Sequence, residues 1–193
     1  QVQPNVLWRN DGLATDGTGI YRKQVFGVGS ESSSTKWIVK GPHSGNERWN
    51  CKFGQPVKHD DVVRFESTIN YQNLHSYDGE NGPVSSMASG YGKVETITYT
   101  TAPGVVNTDD HWTIKIDGNP SGGIWTSGET VRFESADAGF WLISHDVNFQ
   151  TENGAGDWVQ EIPIYSTTIS NDNTKWTVSS VDSQGYKDVI DGL

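Results

Sequence analysis

The chain has 193 residues, with 24 Asp and Glu against 14 Lys and Arg and a formal net charge of −10. That balance argues against nucleic acid, whose affinity comes mostly from Lys and Arg neutralising phosphates, and against anionic membrane surfaces. No run is apolar enough to insert in a membrane, and the single cysteine, Cys51, has no partner for an internal disulfide. Ala, Leu and Met are scarce while Thr, Ser, Val, Ile, Trp and Tyr are plentiful, and Gly and Asn clusters punctuate short runs. This usage predicts an all-β fold with tight turns, one domain over residues 1–193, and a core large enough to stand without cross-links.

In chain order, a short apolar segment comes first, Leu7-Trp8-Arg9-Asn10-Asp11. An alternating strand follows at Gln24-Val25-Phe26-Gly27-Val28, then a polar loop Ser32–Lys36, then Trp37-Ile38-Val39. The next strand, Asp61-Val62-Val63-Arg64-Phe65-Glu66-Ser67, alternates apolar and charged residues as a half-buried strand should. Leu74-His75-Ser76-Tyr77-Asp78 follows, then a strand at Glu95–Tyr99, a polar loop Asn107–His111, and Trp112-Thr113-Ile114. The series then repeats. Val131-Arg132-Phe133-Glu134-Ser135 copies Val63–Ser67 at an offset of 68, and Leu142-Ile143-Ser144-His145-Asp146 copies Leu74–Asp78 at the same offset. Glu161–Tyr165, the loop Asn171–Lys175 and Trp176-Thr177-Val178 complete it.

Two motifs sharing one offset, and a Trp motif present three times, predict three copies, near residues 1–60, 61–128 and 129–193. The first copy lacks its opening strand. The last runs into Lys187-Asp188-Val189-Ile190-Asp191, which resembles one. Either Val189-Ile190 lies beside Val6-Leu7, closing the array, or the chain is cut from something longer. Trp37, Trp112 and Trp176 are expected at equivalent core positions.

The motifs also resemble a known family. Leu142-Ile143-Ser144-His145-Asp146, Gly154-Ala155-Gly156, Val159-Gln160-Glu161-Ile162 and Asn171-Asp172-Asn173-Thr174-Lys175-Trp176 are together similar to a MIR repeat. Such repeats occur in protein O-mannosyltransferases, stromal cell-derived factor two proteins, and inositol trisphosphate and ryanodine receptors. The second copy departs by carrying Tyr77 in place of a second His, and the third by carrying Ile143 in place of the first. The resemblance implies a β-trefoil: three four-stranded units closing a pseudo-threefold barrel. It also implies a glycan, glycoprotein or unfolded-protein partner, and a place in the secretory pathway or outside the cell. A protein–protein adaptor and a segment of a larger glycosyltransferase are the alternatives.

The residues themselves argue for binding rather than catalysis. The five histidines are scattered without paired ligands, so no metal is expected, and neither a nucleophile motif nor a cofactor fingerprint is present. Asp60-Asp61 and Asp109-Asp110 read as turn residues. His75 and His145 read first as structural, bonding a turn carbonyl beside Asp78 or Asp146. Trp8, Trp49, Trp125, Trp141, Trp158, Tyr71, Tyr77 and Tyr91 lie off the repeated core positions. Aromatic faces beside Asp, Asn and Ser suit sugars. The candidate ligand residues are therefore Leu74, His75, Ser76, Tyr77 and Asp78 in the second copy, and Ser144, His145, Asp146 and Asn148 in the third.

Overall fold

β-Branched and aromatic runs broken by Gly, Asn and Asp give short strands, and no α-helix occurs among the described residues. The computed structural model describes residues 7–9, 14–15, 21–29, 32, 35–43, 55–69, 71–76, 94–95, 97–99, 107–118, 122–144, 148–150, 158–166, 168 and 171–177. The first copy holds β1 (Leu7–Arg9), β2 (Ala14–Thr15), β3 (Tyr21–Gln24), β4 (Phe26–Val28) and β5 (Trp37–Lys40). The second holds β6 (Val62–Ser67), β7 (Asn73–His75), β8 (Val94–Glu95), β9 (Ile97–Tyr99) and β10 (Trp112–Ile116). The third holds β11 (Thr130–Ser135), β12 (Phe140–Leu142), β13 (Asn148–Gln150), β14 (Trp158–Glu161), β15 (Pro163–Ser166) and β16 (Trp176–Thr177). All pairings among the described residues are antiparallel.

The alternating strand of each copy is split in two at one residue: Val25 between β3 and β4, position 96 between β8 and β9, and Ile162 between β14 and β15. The halves are exchanged between copies. β3 of the first copy pairs with β9 of the second, β8 of the second with β15 of the third, and β14 of the third with β4 of the first. The exchange is cyclic. Val25 and Ile162 are buried at the split, so the break turns one side chain into the core while the backbone changes partner.

Register is shared as well. Trp37 and Trp112 stand opposite Ser67 and Ser135, the last residues of the next copy's opening strand. Trp112 and Trp176 stand opposite Val63 and Val131 of their own copy's opening strand. Among the described strands β5 pairs only with β6 and β16 only with β11, so the described sheet is open and not closed into a barrel. Val6 and Lys187–Leu193 lie outside the described residues, and with them the expected contact of Val189-Ile190 with Val6-Leu7. Leu7 pairs with Val28. In that hairpin Trp8, opposite Gly27, holds the place of Leu74 opposite Thr98 and Leu142 opposite Ile164. The first copy therefore runs one residue out of step with the alignment by motif.

Trp112 and Trp176 are buried, and Trp37 is half-buried against the same cluster. Phe65 meets Phe133 edge to face at 5.1 Å, and Phe133 also packs against Trp125 and Trp176. The indole of Trp125, which lies off the repeated core positions, therefore belongs to the core margin. β11 alternates as expected, with Val131 and Phe133 inward and Arg132 and Glu134 outward. β6 does not: Arg64 is only 4% exposed, because Gly41–His43 folds over it and the Gly41 carbonyl accepts from Nε at 2.7 Å.

The turns repeat with the strands. The N–H of Tyr71 bonds the Ser67 carbonyl at 3.0 Å, and that of Gly139 bonds the Ser135 carbonyl at 2.9 Å. Both residues are left-handed, with φ of 58° and 63°. Asp60 and Gly128 form a second left-handed pair at the start of each copy, with φ of 69° and 88°.

Candidate functional site

The polar loop before each Trp is built the same way. Its first residue accepts from the fourth: the Thr35, Asp110 and Thr174 N–H groups bond the carbonyls of Ser32, Asn107 and Asn171 at 3.1, 3.3 and 3.2 Å. Asn107 and Asn171 also cap with their side chains, taking the N–H two residues on. In the second and third copies the loop then receives the Leu-x-Ser segment of its own copy. The N–H of Ser76 bonds the Asp109 carbonyl at 2.9 Å, and that of Ser144 bonds the Asn173 carbonyl at 2.8 Å. The indoles of Trp112 and Trp176 donate to the Leu74 and Leu142 carbonyls at 3.0 Å each. The recurrence of Leu, Ser and Trp in the second and third copies is thus accounted for by one hydrogen-bonded lock in each of the two.

On this common frame the second copy differs in chemistry. Thr35-Lys36 and Thr174-Lys175 precede Trp in the first and third copies, whereas Asp110-His111 precedes it in the second. Asp110 is fully buried. His75 Nδ1 lies 2.8 Å from Asp110 Oδ1, and Asn73 Nδ2 donates to Oδ2 at 2.9 Å. His43 Nε2 lies 3.1 Å from the same Oδ2. Because a carboxylate only accepts, these contacts place the proton of His75 on Nδ1 and a proton of His43 on Nε2. Arg64 Nη1 stands 3.3 Å from His43 Nε2 and adds a positive charge beside Asp110. Asn73 must turn its amide nitrogen toward the carboxylate. Its Oδ1 is left buried with no partner among the described residues.

His111 completes the cluster from the other side. Its Nε2 accepts the backbone N–H of His43 at 3.0 Å, which requires that nitrogen to be unprotonated. Burial, reinforced by the nearby His43 and Arg64, pulls its pKa down to about 4. Burial also raises the Asp109 carboxyl, with Asp137 adding to the rise and His75 opposing it. Gly41–His43, the exit of the first copy, is therefore clasped to the second through Arg64, Asp110 and His111. The third copy has no such arrangement. Arg132, the counterpart of Arg64, bonds Thr174 Oγ1 at 2.9 Å and Asp117 at 2.8 Å, and the buried Ile143 replaces His75. Among the described residues no group of three His, Cys, Asp or Glu side chains is placed to hold a metal ion.

No family model matches the chain. A stromal cell-derived factor 2-like protein of Dictyostelium discoideum is 26% identical over 163 residues, covering 84% of this chain and 68% of the relative. Protein O-mannosyl-transferase 2 of Drosophila pseudoobscura pseudoobscura is 29% identical over 109 residues, 55% of this chain and 13% of that protein. The crystal structure of the SDF2-like protein from Arabidopsis thaliana aligns with a TM-score of 0.61 at 23% identity, covering 90% of this chain and 93% of that one. The chain is a relative of the MIR-domain proteins. The fold is also shared with the S. cerevisiae Pmt1-Pmt2 mannosyltransferase complex, TM-score 0.63 at 19% identity over 95% of this chain and 28% of that one.

Within this MIR-type frame the candidate ligand residues fall into three groups. Leu74, His75 and Ser76 are buried, with His75 2% exposed. His75 meets the Asp110 carboxylate, and the turn beside Asp78 where a carbonyl partner was expected lies outside the described residues. Ser144 is half-buried at the end of its lock, and Asn148 opens β13 opposite Gln160. Tyr77, Asp78, His145 and Asp146 lie outside the described residues. Sequence reasoning missed His43, Arg64, Asn73, Asp110 and His111. The signal for two of them was present: Asp-His in one copy where the other two carry Thr-Lys.

Proposed function

We propose that this chain is a non-enzymatic recognition module of the MIR type, folded as a β-trefoil, that binds a glycan or a glycosylated protein in the secretory pathway. The cyclic exchange of half-strands among three copies supports the fold part of this reading, since a pseudo-threefold arrangement satisfies all three exchanges at once. In this reading the array closes through Val189-Ile190 beside Val6-Leu7.

Recognition rests on the relatives, one of them named for mannosyl transfer to proteins. The division of labour in the Leu-x-Ser segments supports it. Buried Leu74, His75 and Ser76 position the segment, and contact falls to Tyr77 and Asp78 after it. In the third copy Ser144, His145, Asp146 and Asn148 have that role. Titrating mannose-containing glycans into labelled protein should shift amide resonances around Ser144 and Asn148. His145→Ala and Asp146→Ala should each weaken binding about tenfold, as loss of one hydrogen-bonded contact of about 1.4 kcal/mol would do. Wild-type affinity in both variants would remove the site. A chain that binds no glycan, yet captures a deglycosylated protein equally well, would replace the reading with that of a protein adaptor.

A further inference from the structure

Tyr71 is in the wrong conformation for its size. A bulky residue at φ 58° is a steric outlier, and the equivalent turn of the third copy solves the same geometry with Gly139. Asp60, the other non-glycine at positive φ, is of a type that tolerates that region, and it pairs with Lys115 at 2.7 Å. Tyr71 has no such compensation. Its side chain is 67% exposed and makes no hydrogen bond, ion pair or ring contact among the described residues. Strain kept where packing does not require it is a mark of function.

The turn around it is held firmly. Both the N–H and the hydroxyl of Thr68 bond the Lys36 carbonyl, at 3.2 and 3.3 Å, and the Ser67 N–H bonds the Gln72 carbonyl at 2.9 Å. Ile69, 44% exposed, stands two residues before Tyr71. From Ser67 to Asn73 every side chain is uncharged, in a protein where 20% of residues are charged, whereas the matching turn of the third copy carries Asp137. A neutral turn showing one aromatic ring, with the half-buried Gln72 amide next to it in the chain, suits an uncharged polyhydroxylated ring. An ion would need charge, and a folded protein partner would need roughly 800 Å² of surface, far more than two side chains supply.

We propose that Tyr71 is a ligand-binding residue whose ring stacks on a neutral pyranose, with the Ser67–Asn73 turn as its platform. This rests on the glycan-recognition reading and adds a subsite outside the Leu-x-Ser segments. The test uses the full chain, a neutral mannose oligosaccharide as probe, and the variants Tyr71→Gly, Tyr71→Asn and Tyr71→Phe. Glycine and asparagine accept the left-handed backbone, so both should melt at or above the wild-type temperature while binding the probe at least tenfold more weakly. Phenylalanine keeps the ring and should retain binding within about threefold. Melting below wild type for both Gly and Asn variants would show that Tyr71 is structural, and overturns the proposal whatever binds. A probe that shifts resonances at Ser144 and Asn148 but not in the turn overturns it while leaving the general reading intact. A probe that shifts neither overturns both, and a response of the turn to unglycosylated protein alone overturns the sugar assignment.

Discussion

At the scale of single residues, the repeated tryptophans do two things at once. Each fills the centre of a copy, and Trp112 and Trp176 also satisfy the carbonyl of the leucine in their own Leu-x-Ser segment. Trp112→Phe keeps most of the apolar contact but leaves the Leu74 carbonyl buried without its donor. The loss should be about 1–3 kcal/mol, read as a lower urea midpoint with an unchanged slope. An unchanged midpoint would mean that the carbonyl finds another donor. The Trp positions were legible because large apolar residues recurred in register with strands. The fate of His75 was not. Its partner Asp110 is 35 positions away, and only the folding of the polar loop under β7 brings the two within 2.8 Å.

At the scale of elements, the clasp over Arg64 is a titratable joint. His111 must stay neutral to accept from His43, and its pKa falls from 6.5 to about 4 on folding. Between those values the unfolded chain binds the proton and the folded chain does not. The stabilisation from this group is therefore complete above about pH 6.5 and is lost as pH falls toward 4. Asp109, raised by burial, works in the opposite sense and favours the folded state on acidification. His111→Gln offers the His43 N–H an acceptor that does not titrate. Its melting temperature should fall less than that of the wild type between pH 6.5 and 4, and parallel pH profiles would discount His111 as the sensor. The strand alternation of β11 was legible in full, whereas β6 misled at Arg64 because the segment that covers it, Gly41–His43, has no periodicity to read.

At the scale of the whole molecule, the three-copy organisation was legible from one shared offset and a recurring Trp motif. The exchange of half-strands was not, because a split at Val25 or Ile162 leaves the apolar alternation intact and shows only in the pairing. The proposed closure has a direct test. Burying Val189 and Ile190 beside Val6-Leu7 would contribute about 3 kcal/mol or more, so a chain ending at residue 186 should melt roughly 6 °C or more below the full chain. Equal melting would overturn that closure. The cyclic exchange also governs the route by which the chain folds. Local hairpins such as β2–β3 and β13–β14 can form early, but no copy can complete its own split strand, and β4 must wait for β14, late in the chain. Such a chain pays most of its loop-closure entropy before its contacts reward it. It is expected to fold on the slow, millisecond-to-second scale of β-proteins dominated by non-local pairing, with β4 among the last strands to gain its full set of neighbours.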